Sequence, residues 1–247
     1  MIRIRSRFLV SAVLFGLGAC APGTGAADAP APSSVAPSET DTAPAVRDIM
    51  DFEPLGPIEP GTYFVDADLD PSTPLRVVYD IPAKGWSNWI GATKFGPEDG
   101  HVGVSITTAV NLVTDGCRDH FAAVPPVGPT VDDLATALSE LAPFEVTTAP
   151  EDVTIYGYSG KHLEWTVPDI AFERCDAGDL RSWIAPMDAA EVGDAYYGYT
   201  GPGYREEFWI LDVDGTRLMI AAERSPGSPS EDLAELRAIL GSIRVEP

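Results

Sequence analysis

Phe208-Trp209-Ile210-Leu211-Asp212-Val213-Asp214-Gly215-Thr216-Arg217-Leu218-Met219-Ile220 is the stretch whose reading decides the fold. Two apolar runs flank Asp214-Gly215, a pair that tolerates the positive φ angles of a type I′ turn, so a tight antiparallel hairpin is predicted. Downstream, Ser228-Pro229-Ser230-Glu231 reads as a capping box, with Ser228 as N-cap, Pro229 at N1 and Glu231 at N3. It opens a helix that buries Leu233, Leu236, Ile239, Leu240 and Ile243. Gly241 is its expected stop, and Ile243 to Glu246 a short closing strand. Upstream, strands are expected over Leu75 to Ile81, Trp89 to Phe95, Val102 to Val113, Val153 to Tyr158 and His162 to Val167. Thr130 to Leu141 switches to helical spacing, with Val131, Leu134, Leu138 and Leu141 on one face and Thr130 as cap. Hairpins and two helices without a βαβ repeat predict an α+β fold. The expectation is a single domain over residues 47–247: a largely antiparallel sheet with hairpins, packed against two main helices.

Composition allows such a core. The 247 residues are 45% hydrophobic and 9% aromatic, which excludes a wholly disordered chain. Sixteen Lys+Arg stand against 38 Asp+Glu, a net charge of −22. Phosphate backbones are bound by clustered lysines and arginines, so a nucleic-acid partner is excluded.

The first residues carry an address. Arg3, Arg5 and Arg7 precede an apolar run from Phe8 to Leu17, about half the length a spanning helix needs. The run ends in Leu17-Gly18-Ala19-Cys20, which resembles the lipobox of bacterial lipoproteins. The expectation is a signal peptide over residues 1–19, lipidation at Cys20, and a location at the cell membrane facing the extracytoplasmic side. Ala21 to Ala45 is built almost wholly from Ala, Pro, Ser, Thr, Gly and acids, so residues 20–46 read as an acylated, disordered tether. Cleavage would remove three arginines and no acid, so the anchor has to be lipid rather than charge.

Three segments carry a family resemblance: Ile81-Pro82-Ala83-Lys84-Gly85-Trp86, Gly157-Tyr158-Ser159-Gly160-Lys161-His162-Leu163-Glu164, and the hairpin from Trp209 to Ile220. They resemble uncharacterised lipoproteins of high-GC Gram-positive bacteria. Strand, Pro-x-x-Gly-Trp, sheet and a late capped helix are also similar to the PsbP-like α+β fold. The resemblance spans residues 60–247 and rests on turns and caps, so it implies a fold and carries over no catalytic residue.

Two cysteines remain beyond Cys20. Outside the cytoplasm Cys117 and Cys175 are expected to pair as a disulfide. The alternative is zinc, since Cys117-Arg118-Asp119-His120 has C-x₂-H spacing that His162 and Cys175 could complete. Asp66, Asp68 and Asp70 alternate, but Pro71 and Ser72 stand where a calcium loop needs glycine, so a solvated acidic turn is favoured. The stretch from Asp194 to Tyr204 is rich in tyrosine and glycine: Tyr196, Tyr197, Tyr199 and Tyr204 suit a recognition loop, or a surface connection covering a sheet. Trp86 and Trp89 flank a turn and are candidates for a stacking platform. No P-loop, H-E-x-x-H or G-x-S-x-G motif occurs, so no catalytic residue, metal or cofactor is assigned. The function expected is a membrane-anchored binding module for an undefined ligand. An accessory subunit of an envelope protein complex is the alternative, and a hydrolase working through paired carboxylates the third.

Overall fold

The computed structural model describes residues 46–70, 72–73, 75–97, 99–186 and 196–246. The expected signal peptide, Cys20 and the tether up to residue 45 lie outside them, as do Pro71, Asp194 and Ala195. Pro44–Pro247 make one compact unit.

Fifteen strands and two α-helices occur among the described residues. The chain opens with β1 (Arg47–Asp48), β2 (Gly61–Asp66), β3 (Arg76–Ile81), β4 (Ser87–Trp89) and β5 (Gly91–Phe95). Then come β6 (His101–Thr107), β7 (Asn111–Asp115), β8 (Asp119–Ala122) and α1 (Val131–Glu140). After them lie β9 (Glu145–Ile155), β10 (Tyr158–Thr166), β11 (Leu180–Ile184) and β12 (Tyr196–Tyr199). The hairpin β13 (Arg205–Val213) and β14 (Thr216–Arg224) precedes α2 (Ser230–Ser242) and β15 (Arg244–Glu246).

A seven-stranded sheet, ordered β4-β5-β6-β14-β13-β10-β9, is the centre of the molecule. Four-stranded sheets ordered β1-β2-β3-β15 and β12-β11-β7-β8 supply one layer to each of its faces. The fold is therefore predominantly β, which corrects the expected α+β balance. The misreading has a physical cause. Val102 to Val113 reads as one apolar strand, yet it divides into β6 in the central sheet and β7 in another. Trp89 to Phe95 likewise divides into β4 and β5 at a bend before Gly91. The strands β7, β8, β11 and β12 are too short to show a period of their own.

The hairpin is as predicted: Asp214 and Gly215 take φ of 51° and 88°, and β13 pairs with β14 from Val213↔Thr216 to Arg205↔Arg224. Alternate side chains of this hairpin serve two different cores. Trp209, Leu211, Leu218 and Ile220 pack with α2 and the β2–β3 layer. Phe208, Ile210, Met219 and Ala221 pack with α1 and the β11–β12 layer.

Both helices form where expected, but only one by the expected means. Thr130 and Asp133 make a reciprocal capping box: the Asp133 amide donates to Thr130 Oγ1 at 3.1 Å, and the Thr130 amide to Asp133 Oδ2 at 2.9 Å. Thr130→Ala is expected to lower the melting midpoint by about 2–4 °C, the usual effect of losing one N-cap in a domain this size. An unchanged midpoint in a calorimetric scan would rule the cap out as a contributor. At α2 the expected Ser228 box is absent, because Ser228 Oγ sits 2.6 Å from the His101 carbonyl, tying β6 to the end of β14. The helix starts two residues later without a side-chain cap and runs through Gly241 to Ser242.

Candidate functional site

At one end of the central sheet β13 and β14 carry two glutamates whose places follow from the hairpin register. Glu206 faces Glu223 directly across the strands, on the face that also bears Phe208 and Ala221. Both are buried, with 1% and 6% of their surface exposed. Room for the second carboxyl comes from the next strand, where Gly103 lies opposite Glu223. A Cβ at Gly103 would stand 2.7 Å from Glu223 Oε1.

Glu223 lines a cleft of about 740 Å³. Its walls come from β5, β6, β12 and the loop that enters β13, through Phe95, His101, Tyr197, Tyr199 and Tyr204. These five rings follow one another around the cleft. Phe95 stacks on His101 at 4.9 Å between centroids, and His101 lies 6.1 Å from Tyr204. Tyr204 meets Tyr199 edge-on at 5.9 Å, and Tyr199 meets Tyr197 edge-on at 5.4 Å. A smaller hollow of about 260 Å³ shares Phe95, His101, Tyr197 and Glu223 and adds Trp89.

Burial governs the charges. It pushes the Glu223 carboxyl up to about 7, against the Tyr197 hydroxyl, which favours the charged form. Burial, then the charge of Glu223, pushes Glu206 well above the carboxylate range, opposed by the indole N–H groups of Trp183 and Trp165. Glu206 Oε2 has no hydrogen-bond partner among the described residues. Burial pulls His101 down to about 4. Its Nε2 is hydrogen-bonded to Thr93 Oγ1 at 2.6 Å and lies 3.5 Å from Glu223 Oε1. Desolvation outweighs their mutual attraction, so both groups are held towards their neutral forms.

The structure thus brings Tyr197, Tyr199 and Tyr204 of the tyrosine-rich stretch into one cleft wall. Tyr196 belongs to β12, and its side chain lies outside the described residues. Trp89 is half-buried beside the smaller hollow, and its Nε1 has no hydrogen-bond partner among the described residues. Trp86 is elsewhere: it is fully buried in the α2-side core, and its Nε1 donates to Glu235 Oε2 at 2.9 Å. Glu206, Glu223 and Gly103 are site residues that the sequence reading passed over, and His101 is one to which it gave no role. The register of the hairpin holds the signal for the glutamates, since counting back from Asp214-Gly215 sets them face to face on the side that also bears Phe208, Ile210, Met219 and Ala221.

The cysteines and the histidines separate. Cys117 and Cys175 are joined by a disulfide across 58 positions, so they do not complete a zinc set with His120 and His162. His120 Nε2 is 2.9 Å from the Gly116 carbonyl. His162, on β10, lies between Glu151 at 3.3 Å and Glu207 at 2.8 Å. With Glu164 and Glu207 it offers ligand atoms within 4.8 Å of one another. The 2.8 Å contact is a hydrogen-bond distance, shorter than the roughly 3.3 Å between two ligands of one tetrahedral zinc. It fits a histidine hydrogen-bonded between two carboxyl groups better than a metal centre. Asp66 pairs with Arg76 at 3.2 Å, and Asp68 accepts from the Asp70 amide and from Thr73. Those acids cap their own turn.

No helix among the described residues is long and apolar enough to cross a membrane. No protein-family model matches the chain, and no curated protein matches it, so the PsbP-like resemblance has no family match behind it. Among solved structures, LpqN, described as involved in cell envelope biogenesis of Mycobacterium tuberculosis, is similar at 10% identity and a TM-score of 0.32. The similarity covers 77% of this chain and 90% of that one. A TM-score of 0.32 does not establish a common fold, and the chain is assigned to no family.

Proposed function

We propose that this protein is anchored by lipid at Cys20 to the extracytoplasmic face of the cell membrane and binds a small ligand in the cleft beside Glu223. The observation that carries the binding reading is the cleft itself. About 740 Å³, walled by aromatic rings with a few buried polar groups, is the size and lining of small-molecule sites. The anchor rests on the lipobox-like Leu17-Gly18-Ala19-Cys20, and mass spectrometry of the mature N-terminus for a diacylglyceryl cysteine tests it. Hydrolysis by paired carboxylates is disfavoured, because Glu223 reaches the cleft and Glu206 lies behind it on the neighbouring strand. Two acids at work on a glycosidic bond stand on either side of it.

Gly201 offers a way to close the cleft without disturbing the core. It lines the cleft, and a Cβ there meets nothing within 4 Å. The full chain and its Gly201→Trp variant should be unfolded thermally against a panel of amines, sugars, cell-wall fragments and short-chain lipids. A ligand at a hundred times its Kd adds about 2.7 kcal/mol, an upward shift of roughly 5–10 °C for a domain of this size. The expected result is a shift in the parent that Gly201→Trp abolishes. A shift that persists in the variant places binding elsewhere, and a flat panel favours docking on another envelope protein. That second reading has its own observation: Phe121, on the edge strand β8, is 80% exposed and Val124 just after it 91%. Exposed large apolar side chains beside an open sheet edge suit a protein partner.

A further inference from the structure

We infer that the ligand carries a cationic nitrogen, seated against Glu223 and enclosed by the rings of Tyr197, Tyr199 and Tyr204. The inference deepens the cleft reading and rests on it. Two carboxyls are buried side by side, and no lysine or arginine forms an ion pair with either among the described residues. A buried carboxylate without a counter-charge is costly, and one remedy is a cation brought in by the ligand. The charged side chains on the cleft wall, Glu223 and Asp99, are both acidic, and none of the described lining residues is a lysine or arginine. His101, the remaining basic group, is held neutral by its burial and so does not compete for Glu223. Aromatic faces attract cations through the ring quadrupole, most strongly in partly desolvated places. An uncharged ligand would use the rings and leave the carboxyl without a counter-charge. The net charge of −22 adds a field that draws cations to the surface.

The test uses isosteric probes that differ in charge: choline with 3,3-dimethylbutan-1-ol, and benzylamine with benzyl alcohol. Each is titrated into the full chain and followed by ligand-observed NMR, in the parent, Glu223→Gln, Tyr204→Leu and Gly201→Trp. The cation of at least one pair is expected to bind about tenfold more tightly than its neutral partner, an advantage that Glu223→Gln abolishes and Tyr204→Leu reduces. Gly201→Trp is expected to remove binding of every probe. Equal affinity within both pairs overturns the inference while leaving the cleft reading intact if Gly201→Trp still blocks binding. Binding that survives Gly201→Trp overturns the cleft reading itself. Should none of the four probes bind, the inference falls and the cleft reading is left to the broader ligand panel.

Discussion

Opening the Cys117–Cys175 bond, by reduction or by the double replacement Cys117→Ser, Cys175→Ser, is expected to cost about 4 kcal/mol, the loop-closure value for a separation of 58 residues. Cys117 lies in the turn between β7 and β8, and Cys175 in the irregular segment that leads into β11. The surrounding backbone is consistent with a clamp at this point. The Asp176 amide donates to the Cys117 carbonyl at 2.8 Å, and the Arg181 amide to the Gly116 carbonyl at 2.9 Å. These bonds persist only while β7, β8 and β11 remain together, and β11 in turn holds β12 with its cleft tyrosines. Urea unfolding with and without reductant measures the effect, and loss of ligand affinity is expected to accompany it. A double-serine variant as stable as the parent would show that the hydrogen bonds alone hold this corner.

Glu223→Gln is expected to stabilise the protein, by an amount that grows with pH. In the unfolded chain the carboxyl titrates at its ordinary value of 4.5; in the fold burial raises it to about 7. The folded protein therefore holds the proton more tightly, and stability is lost as pH rises from 4.5 through 7. Glutamine carries no such penalty. The variant should match the parent near pH 4.5 and exceed it by about 3 kcal/mol at pH 8, the free energy of a shift of this size. His101 contributes with the opposite sign, since burial lowers it to about 4 and stability is gained as pH rises towards 6.5. Buried Glu206, held above the carboxylate range, adds a further loss with rising pH to parent and variant alike, so the gap between the two curves, rather than the slope of either, reports Glu223. Urea midpoints at pH 4.5, 6 and 8 decide it, and a gap that does not change with pH would remove the desolvation argument. A residue that weakens its own fold yet lines a cleft fits a role in binding.

Much of the scaffold was legible. Asp214-Gly215 placed the hairpin, Thr130 with the spacing of Leu134 and Leu138 the first helix, and the apolar spacing of Leu236 and Ile239 the second. Local chemistry determines those features, and a sequence displays local chemistry. The balance of strand and helix was not legible, because β7, β8, β11 and β12 exist through pairing with distant partners. Ser228 shows the same limit in one side chain: its capping pattern is sound, but the His101 carbonyl, 127 positions away, takes the hydroxyl. Trp86 has the flanks of a surface turn and lies in the core because Glu235 of α2 meets its indole. The tyrosines could be singled out by composition. Glu206 and Glu223 could have been found by register, but Gly103 could not, since its part is to leave space for a carboxyl on a strand 120 positions downstream.

The double allegiance of the hairpin has a consequence for how this protein can change in length. Because neighbouring residues of β13 and β14 belong to different interiors, removing one residue from either strand would turn the side chains on one side of the gap to the opposite interior, sending in β13 the Trp209 indole where Ile210 belongs and Glu206 to the wrong layer, or in β14 Glu223. Insertions and deletions are admissible here in twos, or at Asp214-Gly215 where the chain turns in solvent. The segment from Arg205 to Arg224 is thus a ruler shared by two cores, and whatever diversity descendants of this sequence acquire must come by substitution along it and by length variation beyond its ends.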